Sequence, residues 1–294
     1  MDVHGLNIIP ARPLSPQNAA DLQKQFDKDP TAFLNGGKGP YPTQTEDQSL
    51  GFAADWVAET LSCAQDRMAG FVSQRRSDVA VLIGNGPSLK HVAPDELLGH
   101  DVYISNYAVR HPDWRRVARG LAVTNRLVAV QEPYAFQLPQ MWKFHPLWLG
   151  NVLRDSAQAV FLNAIGGPLF FSTDVLQRIA WHATVSYFWL QILYHAGYRR
   201  VVMTGFDNSY QQPEGLREGA IVHQDTDDPN HFDPAYFRGK AWQAADTHHM
   251  TRTYQLTRTH FEADGRDVIN STVAGHLEVF PRMPLRDAIQ MQPV

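Results

Sequence analysis

Cysteine is almost missing: Cys63 is the sole one in 294 residues. No internal disulfide can form and no cysteine-built zinc cluster is possible, which fits a reducing cytosol. No run of about 18 consecutive apolar residues occurs, so no transmembrane helix is expected. The opening residues lack the basic, apolar and small-residue regions of a secretory signal. The expectation is a cytoplasmic protein, at most peripheral to the inner face of a membrane. A basic excess is missing too. Net charge is −4 and the pI is near 6.3, so no nucleic-acid partner is expected. Gly-x-Ser-x-Gly, His-Glu-x-x-His and Cys-x-x-Cys do not occur, and hydrolase triads and zinc sites have no sequence support.

What is present is core material. Hydrophobic residues make up 44% and charged residues 19%, which argues against global disorder. Residues 1–50 are rich in Pro, Gly, Asn and Gln, with a short helix expected around Asn18–Phe26 and loop chemistry at 35–42. Phe52, Trp56, Thr60, Cys63/Ala64, Met68 and Phe71/Val72 recur at helical spacing, so 51–74 reads as an amphipathic helix packing on the main domain. The chain divides into an N-terminal extension, 1–77, and a main domain, 78–294, with a candidate lid at 208–245.

From residue 78 strands and helices alternate. Val79–Ile83 and Asp101–Ser105 read as strands, Gly120–Val130 contains a third, and Ala159–Leu162 is a fourth. Ala183–Ala196 is an apolar helix stopped by Gly197. Arg199–Thr204 is a buried strand, 208–245 a long polar loop, Asp246 the cap of a helix running to Asp264, and Asp267–Ile269 a last strand. This alternation predicts an α/β, Rossmann-like doubly wound, mostly parallel sheet with a lid loop and an N-terminal helical extension. In such sheets ligands bind beyond the carboxyl ends of the strands. Four of those ends are small or polar: Gly84-Asn85-Gly86, Ser105-Asn106, Gly205 with Asp207, and Asn270-Ser271.

Gly84-Asn85-Gly86-Pro87-Ser88-Leu89 is the most informative segment. Gly-x-Gly after a strand lets backbone N–H groups approach a ligand, Pro87 stiffens the turn and Ser88 can cap a helix. The third glycine of the dinucleotide fingerprint and the Walker lysine are lacking. Local chemistry leaves a ligand loop and plain strand-to-turn punctuation both open. Amides of Gly84 to Ser88 are candidates for a phosphate. Asn85, Asn106, Asn270 and Ser271 suit a ribose, a pyrimidine edge or a sugar, and each also fits a turn. Asp207 reads either as a ligand group or as a cap for loop amides. In the loop, His231 is a candidate general base. His248 and His249 open the following helix, and one of them is expected to face what the loop covers. Asp225-Thr226-Asp227 reads either as a carboxylate pair for a divalent cation or as a solvated acidic loop.

These residues resemble a family. Gly84-Asn85-Gly86-Pro87-Ser88-Leu89-Lys90 resembles the nucleotide-binding loop of bacterial sialyltransferases of glycosyltransferase family 42, and Ser105-Asn106-Tyr107 that family's second-strand asparagine. The block Thr184–Tyr198, followed by Val201 to Asp207, is similar to its apolar helix and Ser-Gly-Ile-Asp strand end. Ile269-Asn270-Ser271 is similar to its Pro-Asn-Ser. The resemblance covers scattered motifs over 78–280. It implies inverting, metal-independent transfer of an acidic sugar, of sialic acid or Kdo type, from a CMP-sugar donor to a glycan or glycolipid acceptor. No cofactor is implied. Peripheral membrane association and a homo-oligomer are compatible with it. Carried over by position, His231 is the base, with Tyr210 and Tyr236 assisting departure of the phosphate. Gly84, Asn85, Gly86, Pro87, Ser88, Asn106, Thr184, Gly205, Asp207, Asn270 and Ser271 hold the donor. Where the family carries a histidine a few residues past His231 this chain has Ala235, and where it carries an arginine before the helix this chain has His182. A second family, the 6-hydroxymethylpterin diphosphokinase-like proteins, shares Gly-x-Gly-Pro-Ser-Leu. It uses ATP and magnesium, and under it Asp207, Asp225 and Asp227 become metal ligands. A non-catalytic nucleotide-sugar-binding protein is the third reading.

Overall fold

The computed structural model describes residues 54–137, 140–153, 155–213, 215–216 and 220–291. The helix expected at 18–26, the loop at 35–42 and Phe52 lie outside the described residues. In chain order the elements are α1 (Ala54–Ser73), β1 (Val79–Ile83), β2 (Asp101–Ser105), α2 (Pro112–Val117), β3 (Ala118–Ala122), α3 (Arg126–Gln131) and α4 (Pro133–Gln137). There follow β4 (Trp142–Pro146), β5 (Ala159–Leu162), β6 (Ala164–Ile165), β7 (Ile179–Ala180), α5 (Val185–His195) and β8 (Arg200–Thr204). The chain continues through β9 (Ile221–Gln224), β10 (Lys240–Gln243), α6 (Thr247–Ala263), β11 (Asp267–Asn270) and α7 (Leu285–Gln290).

Seven strands form one parallel sheet in the order β11-β8-β1-β2-β3-β4-β5. Both faces are covered, which is why β1, β2 and β8 are buried along their whole length. On one face Phe71 of α1 meets Tyr103 and Phe144, with ring centroids 5.8 and 4.8 Å apart. Trp189 of α5 fills the same layer and donates its indole N–H to the Ile104 carbonyl at 3.0 Å. Gly120 makes room for it: a Cβ there would stand 3.0 Å from Tyr103 and 3.1 Å from Trp189. On the other face Ala288 of α7 packs with Val79, Val202 and Ile269. The fold is therefore α/β and Rossmann-like. No described helix is long and apolar enough to cross a membrane.

One expectation is corrected, at 208–245, and two elements are added to the rest. The apolar run 120–130 is a strand only as far as Ala122. Asn125 then caps a helix, its side-chain oxygen accepting the Leu127 N–H at 2.8 Å. Trp142–Pro146, which carries no continuous apolar run, is a fully buried strand. Its polar residues hid it: the Lys143 ammonium donates to the Gln137 carbonyl, and His145 Nδ1 donates to the Val123 carbonyl at 3.2 Å. Residues 208–245 are not simply loop. β9 and β10 form an antiparallel hairpin, and the segment between them buries Phe232, Tyr236 and Phe237. The hairpin is docked, because the Gln131 side chain bonds both the Ala241 N–H and its carbonyl.

Burial pushes the His145 imidazole down to about 3, with Lys143 adding to the effect. Unfolded, the same ring titrates near its ordinary 6.5. Below that pH the unfolded chain takes the extra proton, so the folded state loses stability as pH falls toward about 3. His182, also held below its ordinary value by burial, contributes in the same direction. Urea unfolding across this window is expected to show His145 alone removing up to about 1.4 kcal/mol per pH unit. His145→Gln should visibly flatten the dependence; an unchanged slope contradicts the assignment.

Candidate functional site

The strand order places a switch point between β1 and β8: from β1 the chain builds outward to β5, then returns to the opposite side of β1. Such a point opens a crevice at the carboxyl ends. Here the two strand ends are drawn together. The Gly84 N–H donates to the Thr204 carbonyl at 2.8 Å and the Gly86 N–H to the Gly205 carbonyl at 2.9 Å. Asp207 then grips the next turn. Ser88 Oγ donates to Asp207 Oδ2 at 2.7 Å and the Ser88 N–H to Oδ1 at 3.2 Å. A Cβ at Gly84 would lie 2.2 Å from the Gly205 oxygen, and one at Gly86 2.0 Å from Asp207 Oδ2. Both glycines are required by this contact between protein segments.

This corrects the phosphate cradle expected there. The amides of Gly84, Gly86 and Ser88 are all engaged within the protein, and a carboxylate already occupies their neighbourhood. Pro87 and Ser88 open a short 3-10 helix and do not line the cleft. Of the two roles open to Asp207, capping the loop is the one observed.

The cleft itself has a volume of about 570 Å³. Its floor carries Asn85 and Asn106, from the ends of β1 and β2. Asn106 has φ 51°, a left-handed backbone that asparagine tolerates. Asn85 donates weakly to the Ser105 carbonyl at 3.4 Å. The Oδ1 atoms of both asparagines are enclosed and have no protein donor, which leaves an unused acceptor on each beside the cleft. Thr124 and Asn125, at the end of β3, extend the floor. The strand-end rule that found Asn106 also fits these two, which stand between the apolar stretches Leu121–Val123 and Leu127–Val130. Thr184 lines the cleft and caps α5, its hydroxyl shared with Ser186 at 2.9 Å. Gly205 and Asp207 also line it.

The hairpin supplies the opposite wall. The Phe232 N–H donates to the Asn85 carbonyl at 2.9 Å, which fixes His231 at the cleft. His231 Nδ1 lies 2.7 Å from Asp228 Oδ2. Asp228 is buried, and its other oxygen accepts the Asn230 N–H at 2.9 Å. The imidazole stacks on Tyr236, with centroids 4.0 Å apart and planes 4° apart. Asp228 adjoins the acidic Asp225-Thr226-Asp227 stretch and shares its solvated look in sequence; its spacing of three from His231 was the available signal.

Other assignments are corrected. Tyr236 is 1% exposed, sits behind His231 and accepts the Tyr107 N–H at 3.1 Å. It does not line the cleft and cannot touch a leaving phosphate. Tyr210 does line it. Asn270 and Ser271 are turned away from it. The Asn270 amide donates to the Leu277 carbonyl at 2.7 Å and accepts the Thr272 N–H, tying the C-terminal crossover to β11. Ser271 is buried, its N–H donating to the Met203 carbonyl at 2.7 Å. Asp225 and Asp227 lie outside the cleft, Asp227 paired with Arg238. The structure does not bring them to Asp207, and among the described residues no three His, Cys, Asp or Glu side chains are grouped to hold a metal ion. Of the two histidines opening α6, His249 lines the cleft and His248 is exposed.

Comparison with protein-family models, with curated proteins and with solved structures gives no match. Function must therefore be argued from the cleft.

Asp207→Asn keeps the shape of the contact and removes its charge. It is expected to lower stability by about 1–3 kcal/mol, read as a reduced urea midpoint at unchanged m. An unaltered midpoint would mean that Asp207 does not hold the strand ends.

Proposed function

We propose that the chain is an inverting glycosyltransferase that takes an acidic sugar from a CMP-sugar donor. The observation that carries the reading is the Asp228–His231 pair on the cleft wall. Asp228 accepts from Nδ1, so the neutral tautomer leaves Nε2 as a bare acceptor, and a buried carboxylate stabilises the imidazolium once it forms. In the proposed step Nε2 takes the proton of an acceptor hydroxyl. The freed oxygen attacks the anomeric carbon as the bond from that carbon to the phosphate oxygen breaks on the opposite side. CMP leaves with the bonding pair, the anomeric configuration inverts, and His231 returns its proton to water.

The character of the cleft supports a donor with one phosphate. No lysine or arginine is found among its described lining residues. A nucleoside diphosphate carries charge that such a lining would leave largely uncompensated. A CMP-sugar of the acidic type places its two charges on a phosphodiester and a separate carboxylate, so no single spot in the cleft has to accept a doubly charged diphosphate. The free oxygens of Asn85 and Asn106 suit the exocyclic amine of cytosine or the ribose hydroxyls. The acceptor, whether glycan or glycolipid, would enter on the side of His231. A place at the cytoplasmic face of a membrane belongs to the same proposal.

The test is release of CMP from CMP-sialic acid or CMP-Kdo. His231→Ala should lower turnover by about 10²–10⁴ while CMP binding is retained. Asp228→Asn should lower it by a smaller factor with little change in KM. Turnover that survives His231→Ala, or a native protein that binds no CMP, overturns the reading.

A further inference from the structure

His182 and His249 have no part in the step above, yet they meet inside the cleft. His182 lies in the turn between β7 and α5, and His249 in the first turn of α6. Their ring centroids are 5.3 Å apart and the planes are tilted by 38°. Both Nε2 atoms are enclosed and neither has a protein partner. Two enclosed ring nitrogens left unpaired on facing imidazoles are costly, as are the unpaired Oδ1 atoms of Asn85 and Asn106 on the floor.

We infer that His182 and His249 form a subsite for an anionic oxygen group, a phosphate or carboxylate, which bridges the two rings and is taken up together with a proton. The proposed donor reading supplies only the identity of the anion.

The surroundings favour this ligand chemistry. Each ring with both nitrogens protonated donates from Nε2, and an oxyanion between them accepts from both. Without an anion two imidazolium rings at this separation repel each other. The pair is flanked by the N-termini of α5 and α6, whose aligned peptide dipoles favour negative charge. The neighbouring acids are otherwise engaged. Asp246 caps α6 through the His249 N–H at 2.7 Å and stands 3.8 Å from His249 Nδ1. Asp228 from the hairpin holds His231, and Asp207 from the end of β8 holds Ser88. The remaining titratable neighbours are Tyr210 and Tyr254, and the Tyr254 hydroxyl pairs with Ser186 Oγ at 2.7 Å. Burial, followed by His249, holds the His182 imidazole below its ordinary range, partly opposed by the Pro168 carbonyl. An anion on the pair reverses that balance.

The test is an NMR titration of the histidine ring protons in the full chain, with resonances assigned through His182→Gln and His249→Gln. Sulfate stands in for phosphate and acetate for carboxylate, since neither changes charge between about pH 6 and about pH 8. Addition of the bound anion is expected to raise the titration midpoint of both rings by about one pH unit. Whichever of sulfate or acetate does so identifies the group. In either Gln variant the shift of the surviving histidine should be largely lost. Should a variant not fold, proton uptake by the native protein on anion binding, compared in two buffers of different ionisation enthalpy, gives the same answer. Midpoints unmoved by both anions, or a full shift of one ring after loss of the other, overturn the subsite. CMP binding with neither ring responding defeats the subsite alone. A sulfate response in a protein that binds no CMP defeats the donor reading alone.

Discussion

Asp207 reaches across from the end of β8 to hold the backbone and hydroxyl of Ser88 beyond the end of β1. Two strands that diverge in chain order are pinned side by side at the switch point, and the cleft starts there. Gly84, Gly86 and Gly205 follow from that contact, because no Cβ fits between the two turns. The same loop fixes the opposite wall: the Asn85 carbonyl accepts the Phe232 N–H, setting His231 over the floor. One short segment thus orients both the neutral acceptors and the histidine pair partner, His231 with Asp228.

The contact also determines where charge can go. With an aspartate beside it and the amides of Gly84, Gly86 and Ser88 already bonded, the Gly-x-Gly turn is a poor place for a phosphate. The floor next to it offers uncharged amide oxygens instead. The proposed anion subsite lies on another wall, where His182 and His249 stand at the starts of α5 and α6. A ligand with an uncharged polar end and an anionic middle matches this division. The order of groups in a nucleotide-sugar is of that kind.

Much of the scaffold was legible because buried parallel strands are continuous apolar runs. Val79–Ile83, Asp101–Ser105 and Ala159–Leu162 were placed at their observed bounds, and Arg199–Thr204 within one residue. The Gly197 stop and the Asp246 cap marked α5 and α6. What escaped were elements whose chemistry runs against their burial. Lys143 and His145 made β4 look like surface, and Asn125 was lost between two apolar stretches that are in fact strand and helix. Of the cleft residues, Asn85 and Asn106 were marked by the rule of polar strand ends, His231 by an aromatic-rich loop, and His249 only as one of two histidines opening a helix. Asn270 obeyed the same rule and failed it, since its amide bonds back to Leu277. Residue type at a strand end does not reveal whether the side chain turns toward the crevice or under the next crossover. Tyr236 failed for a related reason: sequence proximity to His231 became stacking beneath it.

The most direct measurement is the structure of the protein crystallised with cytidine monophosphate. The account predicts the nucleotide in the cleft at the β1–β8 switch point, with ligand donors on Asn85 Oδ1 and Asn106 Oδ1, and no phosphate oxygen on the Gly84–Ser88 amides. A nucleotide bound elsewhere, or phosphate seated on that turn with Asp207 displaced from Ser88, would contradict it.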